Sequence, residues 1–200
     1  ISVLSNPYNI TGIIEDPDGN IFISTYRANI FMTTDQGETW SQVVIGKYGE
    51  NISCINVDKN GNYYAIKDST CLKSDDGTSW IENTFKRKSS YWESMSIDVN
   101  DDVYLGTSQN GVYLSNDSSK SWELINDGLF NKYVISTTSD DSGNVVVGTF
   151  GNPFLLKDSV YSWQSLSNGF PRTFTTSLAI SPQGILFSGT QDYGMYRTSA

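Results

Sequence analysis

Tryptophan recurs in this chain at a nearly fixed interval. Trp40, Trp80, Trp122 and Trp163 are separated by 40, 42 and 41 residues. Each closes a related stretch: TTDQGETW at 33–40, KSDDGTSW at 73–80, SNDSSKSW at 115–122 and LKDSVYSW at 156–163. A second ladder runs through Thr25, Lys67, Thr107, Thr149 and Thr190. A third consists of turn triplets: DGN at 18–20, NGN at 60–62, NDD at 100–102, SGN at 142–144 and QGI at 183–185. Three markers in one register mean that a single supersecondary unit is repeated, so the unit is what has to be read.

Within a unit the pattern predicts four short strands. An alternating stretch such as ITGIIED is followed by an Asn/Asp-Gly turn and a β-branched or aromatic run such as IFIST or VVVGT. A loop, a run such as NIFMT or GVYLS, the Asp-containing turn and a last strand after Trp complete it. Helix-period patterning is absent. The expected fold is therefore all-β, a β-propeller of four-stranded blades. A β-sandwich also uses short strands, but it does not require Trp and Asp at a fixed interval.

The repeats divide a single domain, 1–200, into units at about 10–49, 50–90, 91–131, 132–172 and 173–200. The fifth stops where its Asp turn should form. ISVLSNPYNIT at the start overlays WQSLSNGFPRTF at 163–174, with Ile1 at the Trp position and LSN in step. The expectation is five blades, the N-terminal strand of residues 1–9 completing the last and closing the ring, since open sheet edges invite aggregation. A piece of a larger propeller remains the alternative.

Charge and composition exclude several functions. The net charge of -9 and the 13 scattered Lys and Arg argue against nucleic acid as a partner. No run of 18 apolar residues predicts membrane insertion. The chain has no His, which removes Ser-His-Asp and Cys-His catalysis and the commonest zinc ligand. Cys54 and Cys71 fall on strands about two spacings apart, ~10 Å, too far to bridge. No metal and no cofactor is expected.

TTDQGETW resembles the Asp-box, or BNR repeat, Ser/Thr-x-Asp-x-Gly-x-Thr-Trp/Phe, at every fixed position. The other copies depart from it at Lys73, Leu156, Ser119 and Val160. A short acid can accept hydrogen bonds from backbone N–H groups just ahead, Gly can take positive φ, and indole can cover the hairpin. Asp35, Gly37 and Trp40, Asp75, Gly77 and Trp80, Asp117 and Trp122, and Asp158 and Trp163 are accordingly read as structural. The run of blades is similar in style to the photosystem II assembly-factor-like family within the sialidase-type propeller superfamily. That resemblance implies a non-catalytic binding or assembly factor. Sialidases and xyloglucan-degrading hydrolases in the superfamily keep a glycoside hydrolase, or a fragment of one, open.

A sialidase needs three arginines on one substrate carboxylate. Arg27, Arg87 and Arg172 fall on loops of different blades, and FPRTF is not the family's arginine motif. The acidic doublets Asp75/Asp76, Asp101/Asp102 and Asp140/Asp141 all lie in predicted turns, and no catalytic residue is assigned. The opposite rim is richer. Loops joining blades carry Tyr8, Tyr48, Tyr91, Trp92, Phe130 and Phe170. Loops between second and third strands add Tyr26 with Arg27, Phe150, and Tyr193 beside Asp192. These rings, with Arg172, are the expected ligand-binding set, suited to a glycan or protein partner; the alternative is that they pack between blades as once-per-repeat residues. The functional expectation is a binding or scaffold propeller in an extracytoplasmic location. A hydrolase or a structural module of a larger surface protein are the alternatives.

Overall fold

The computed structural model describes residues 9–26, 30–43, 50–68, 70–83, 92–157, 161–166 and 169–198. They form an all-β structure of five antiparallel blades of the β-propeller class, each a simple meander. The first blade is β1 (Ile10–Glu15), β2 (Ile21–Thr25), β3 (Ile30–Thr33) and β4 (Ser41–Val43). The second is β5 (Ile52–Val57), β6 (Tyr63–Lys67), β7 (Thr70–Ser74) and β8 (Ile81–Asn83). The third is β9 (Trp92–Ile97), β10 (Val103–Thr107), β11 (Gly111–Ser115) and β12 (Glu123–Leu124). The fourth is β13 (Val134–Ser139), β14 (Val145–Thr149), β15 (Pro153–Lys157) and β16 (Ser162–Ser165), and the fifth β17 (Thr175–Ile180), β18 (Leu186–Thr190) and β19 (Gly194–Arg197). The chain divides into two compact units at residue 88, the first with two blades and the second with three. The assignment of residues 1–9 to the fifth blade and to ring closure falls on residues 1–8, outside the described ones.

The second strands of the first four blades are buried on both faces, which is why they read as nearly continuous apolar runs such as VVVGT. In the first unit Phe22, Ile30, Ile52, Ile55 and Leu72 pack into one core. In the second, Val112, Leu114, Val134, Val145, Val147 and Trp163 form another.

Gly106, Gly148 and Gly189 precede Thr107, Thr149 and Thr190 of the second ladder, and their recurrence has a packing cause. Gly148 pairs with Ser136 on β13, and a Cβ on Gly148 would stand 2.2 Å from Ser136 Oγ and 2.6 Å from the Thr175 carbonyl of the fifth blade. The backbones of neighbouring blades meet there, so only a small pair fits. Ser94 with Gly106 and Ser177 with Gly189 repeat the pair, and the first blade has it in reverse, Gly12 with Ser24. The second blade breaks the rule with Cys54 opposite Ile66. Ile66 also faces Cys71, so the two sulfurs lie two strands apart and are not joined in a disulfide. Burial, with Cys71 nearby, pushes the Cys54 thiol up to about 12.

Every first strand carries a bulge near its start, as between Ile10 and Gly12 or between Val134 and Ser136. Bulges re-aim side chains. Thr11, at the first of them, turns its hydroxyl onto the Ile52 carbonyl of the second blade at 2.8 Å.

The Asp turns close on themselves. In the first blade Thr33 Oγ1 donates to Asp35 and accepts from Gly37 N at 2.9 Å, while Asp35 accepts from Thr39 N at 2.9 Å. Asp117 does the same in the third, accepting from Ser115 Oγ, Lys120 N and Ser121 N. In the second blade the carboxylate in this place is Asp76, not Asp75. Asp76 accepts from Ser74 Oγ, Thr78 N and Ser79 N, while Asp75 pairs with Lys73 at 3.0 Å. The hairpin between Ser74 and Trp80 is one residue shorter than that between Thr33 and Trp40, which moves the acid by one. Trp40 and Trp80 donate to Gly37 and Gly77 of their own hairpins, whereas Trp163 is buried and donates to Ile125 of the preceding blade. Asp158 lies outside the described residues.

Candidate binding surface at the loop ends

The opposite end of the blades gathers aromatic rings in the second unit. The segment before β13 approaches the turn after β14, and Asn131 ties them together. Its Oδ1 accepts from Tyr133 N at 2.9 Å and its Nδ2 donates to the Phe150 carbonyl at 2.6 Å. Phe150 in turn forms an isolated antiparallel bridge with Phe174, where the chain enters β17, and Gly151 N donates to Thr173 O at 2.9 Å.

Three rings meet on this frame. The Phe174 ring lies 4.8 Å from Phe150 and 5.7 Å from Tyr133 by centroids, with interplanar angles of 58° and 56°. These are tilted contacts of the kind aromatic pairs prefer. Tyr133 remains 42% and Phe150 48% exposed, so the cluster is held from beneath and open above.

The expected ligand-binding residues divide as follows. Phe150 joins the cluster. Phe130, 90% exposed, and Tyr193, 61% exposed, stand at the same end of the blades. Phe170 packs at 6.0 Å on Tyr196, and Arg172 is exposed. Asp192 accepts from the buried Thr173 hydroxyl at 3.0 Å, which fastens the fourth-to-fifth connection to the β18–β19 turn. Tyr26 is exposed at the end of β2 in the first unit. Of Trp92 the backbone alone is described, as the first residue of β9. Tyr8, Arg27, Tyr48 and Tyr91, as well as Arg87, lie outside the described residues. Tyr133, Phe174 and Asn131 belong to the site although the sequence pattern does not single them out. The repeat draws the eye to one ring per loop, whereas NKY and FPRTF hold more than one useful side chain.

The acidic doublets lie in turns at the other end. Asp101 and Asp102 follow Asp98, and Asp140 and Asp141 open the β13–β14 turn. Burial, reinforced by Asp98 and Asp101, raises the Asp102 carboxyl above its ordinary value. Backbone N–H groups of Ser79 and Thr78 hold Asp76 far below it. A further ladder, Asp16, Asp58, Asp98 and Asp140, caps the first turn of four blades, each accepting from backbone N–H groups two and four residues ahead. Such acids are occupied by their own backbone.

At the loop end of the second blade the buried Lys67 replaces the Thr of the other blades, and its ammonium lies between Glu82 and Glu50. Burial lowers the Lys67 pKa, but the two carboxylates outweigh it and the net shift is upward. Lys67 thus stays charged, with both carboxylates as its ion-pair partners. Among the described residues no group of three or more His, Cys, Asp or Glu could hold a metal ion, and no helix is long and apolar enough to cross a membrane.

Comparison with known proteins agrees with the fold. The family model for the two component regulator propeller matches residues 4–27. No curated protein matches in sequence. Among solved structures, virginiamycin B lyase from Staphylococcus aureus superimposes with a TM-score of 0.80 at 13% identity, over 99% of this chain and 72% of that one. The extracellular domain of the putative one component system BT4673 from B. thetaiotaomicron gives 0.73 at 17% identity, over 98% of this chain and 27% of that one. YCF48 bound to D1 peptide gives 0.76 at 15%, over 99% of this chain and 66% of that one. The chain thus spans about a quarter of the second and just under two thirds of the third. At such identities the likeness concerns the fold, and the fold serves both enzymes and binding proteins.

Proposed function

We propose that this chain is a non-catalytic binding propeller whose loop ends present an aromatic-lined surface to a glycan or protein partner. The observation that carries the reading is the Tyr133–Phe174–Phe150 cluster, exposed above and fixed below by Asn131. Rigid rings offer contact area with little entropy to lose on binding. Phe130, Arg172 and Tyr193 extend the surface in the second unit, and Tyr26 stands at the loop end of the first. Asp35, Asp76 and Asp117 serve as turn fasteners of the Asp-box type. The peptide in the YCF48 complex and the extracellular placement of the BT4673 domain are compatible with partner recognition and an extracytoplasmic location.

A hydrolase or lyase reading draws on the enzymes among the structural neighbours. The Lys67 ammonium between Glu50 and Glu82 opposes it, because it fills the space between the two carboxylates where a scissile glycosidic bond would have to sit. The test is binding measured beside turnover. The purified chain is screened against immobilised glycans and displayed peptides, and against chromogenic glycosides. Binding that is lost on Phe150→Ala, with no turnover, is expected; turnover lost on Glu82→Gln would replace this reading with the enzymatic one.

A further inference from the structure

The chemistry of the ring cluster distinguishes between classes of partner, and an assignment of ligand class rests on the binding function proposed for this surface. The exposed apolar side chains at the loop end of the second unit are dominated by rings: Phe130, Tyr133, Phe150 and Tyr193. The exposed aliphatics Val99 and Leu124 sit elsewhere, in the β9–β10 turn and on the outermost strand of the third blade, and Met195 lies on β19. The groups that touch or frame the rings are amides and hydroxyls: Asn131, the Tyr133 phenol and Thr173. Two exposed cations, Lys132 and Arg172, stand in the same connections, and the exposed Asp192 carboxylate stands in the β18–β19 turn.

Charge points the same way. Six carboxylates of this unit, Asp98, Asp101, Asp102, Asp117, Asp140 and Asp141, lie in the turns at the other end, against Asp192 at the loop end, so a cationic partner would be drawn mainly there and away from the rings. A ligand selected at the loop end is therefore selected by stacking. The two exposed rings lean at 56° and 58° against Phe174, so each presents a face inclined to the ring they share. A chain of pyranose rings, with apolar C–H faces and hydroxyl edges in successive orientations, meets such faces with its C–H groups and the amides with its hydroxyls.

We infer that Tyr133, Phe150 and Phe174 form a stacking site for an uncharged glycan, with Asn131 as its positioning residue. Asn131 acts through others: it holds the backbone beneath both exposed rings, one by its carbonyl and one by its amide. Asp at this position keeps the acceptor for Tyr133 N and loses the donor to Phe150 O, so it should disturb one ring and spare the other.

The experiment is calorimetric titration of the full chain with soluble cello-, xylo-, manno- and β-1,3-gluco-oligosaccharides, repeated at high salt. Binding to at least one is expected, unchanged by salt. Phe150→Ala and Tyr133→Ala should each weaken it about tenfold or more, while Asn131→Asp gives an intermediate loss at an unchanged melting temperature. The inference is overturned if no oligosaccharide binds, if salt abolishes the binding, or if Phe150→Ala binds as wild type. Displayed peptides probed in parallel separate the two levels. Peptide binding lost in Phe150→Ala, without glycan binding, leaves the binding surface standing and removes the glycan; no ligand of either kind sensitive to Phe150 removes both.

Discussion

Tyr63 donates a hydrogen bond of 2.6 Å to the Asp16 carboxylate across the join between the first and second blades. Asp16 already accepts from Asp18 N and Asn20 N, so one buried acid both closes its own turn and anchors the neighbouring blade.

Removing the hydroxyl tests the join. Tyr63→Phe leaves the ring against Phe22, 4.8 Å away, and should cost about 1.5–3 kcal/mol in urea denaturation, the usual range for a hydrogen bond to a charged group. Burial opposes ionisation of Asp16, but its bonds from Tyr63, Asn20 and Asp18 lower its pKa overall. A lowered folded value contributes stability above the ordinary carboxylate pKa and loses it as pH falls through the folded one. The gap between wild type and Tyr63→Phe should therefore narrow in acid.

The Asp turn of the second blade gives a paired test. Asp76→Ala removes the acceptor of two backbone N–H groups and should lower the melting temperature clearly; Asp75→Ala should barely move it, since its exposed pair with Lys73 is weak. Asp35, held down to about 2 by Thr39 and Thr33, should contribute its stability above the usual carboxylate range and lose it only as pH approaches that value.

Gly148→Ala probes blade packing in the second unit. The added methyl meets Ser136 Oγ and the Thr175 backbone, and overpacking of this kind costs about 1–3 kcal/mol. Gly184→Ala keeps open space but faces a φ of +76°, so its cost should be the smaller strain of a left-handed residue, about 1 kcal/mol. Chemical denaturation of both variants checks the order.

Lys67 predicts the opposite pH trend to Asp16. A raised folded pKa contributes stability below the ordinary lysine value and loses it as pH rises through the folded one. Wild type should lose more stability than Lys67→Met on passing into strong alkali, as read by thermal melts across that range.

The blades are legible in the sequence because a repeat writes the same residue many times, and local chemistry decides each copy. Trp40, Gly37 and Asp35 need no partner from elsewhere to be understood. The ladder Asp16, Asp58, Asp98 and Asp140 is equally periodic, at 42, 40 and 42 residues, but lies hidden beside the more conspicuous Gly-Asn triplets. The sequence pattern favours Asp75 over Asp76 because a doublet offers two acids, and a one-residue shortening of the hairpin chooses between them. Tyr133 and Phe174 are illegible for a different reason. They flank Phe150 through a bridge and an Asn131 clamp that join three separate connections, and no spacing along the chain records which connections touch.

The binding reading requires that partners are met at the loop ends of the blades and not at the Asp turns. Hydrogen exchange with and without a bound ligand measures this directly. Protection confined to segments 130–133, 150–152 and 172–174 is the result predicted. Protection at 98–102 and 140–142, with the ring segments unchanged, would contradict it.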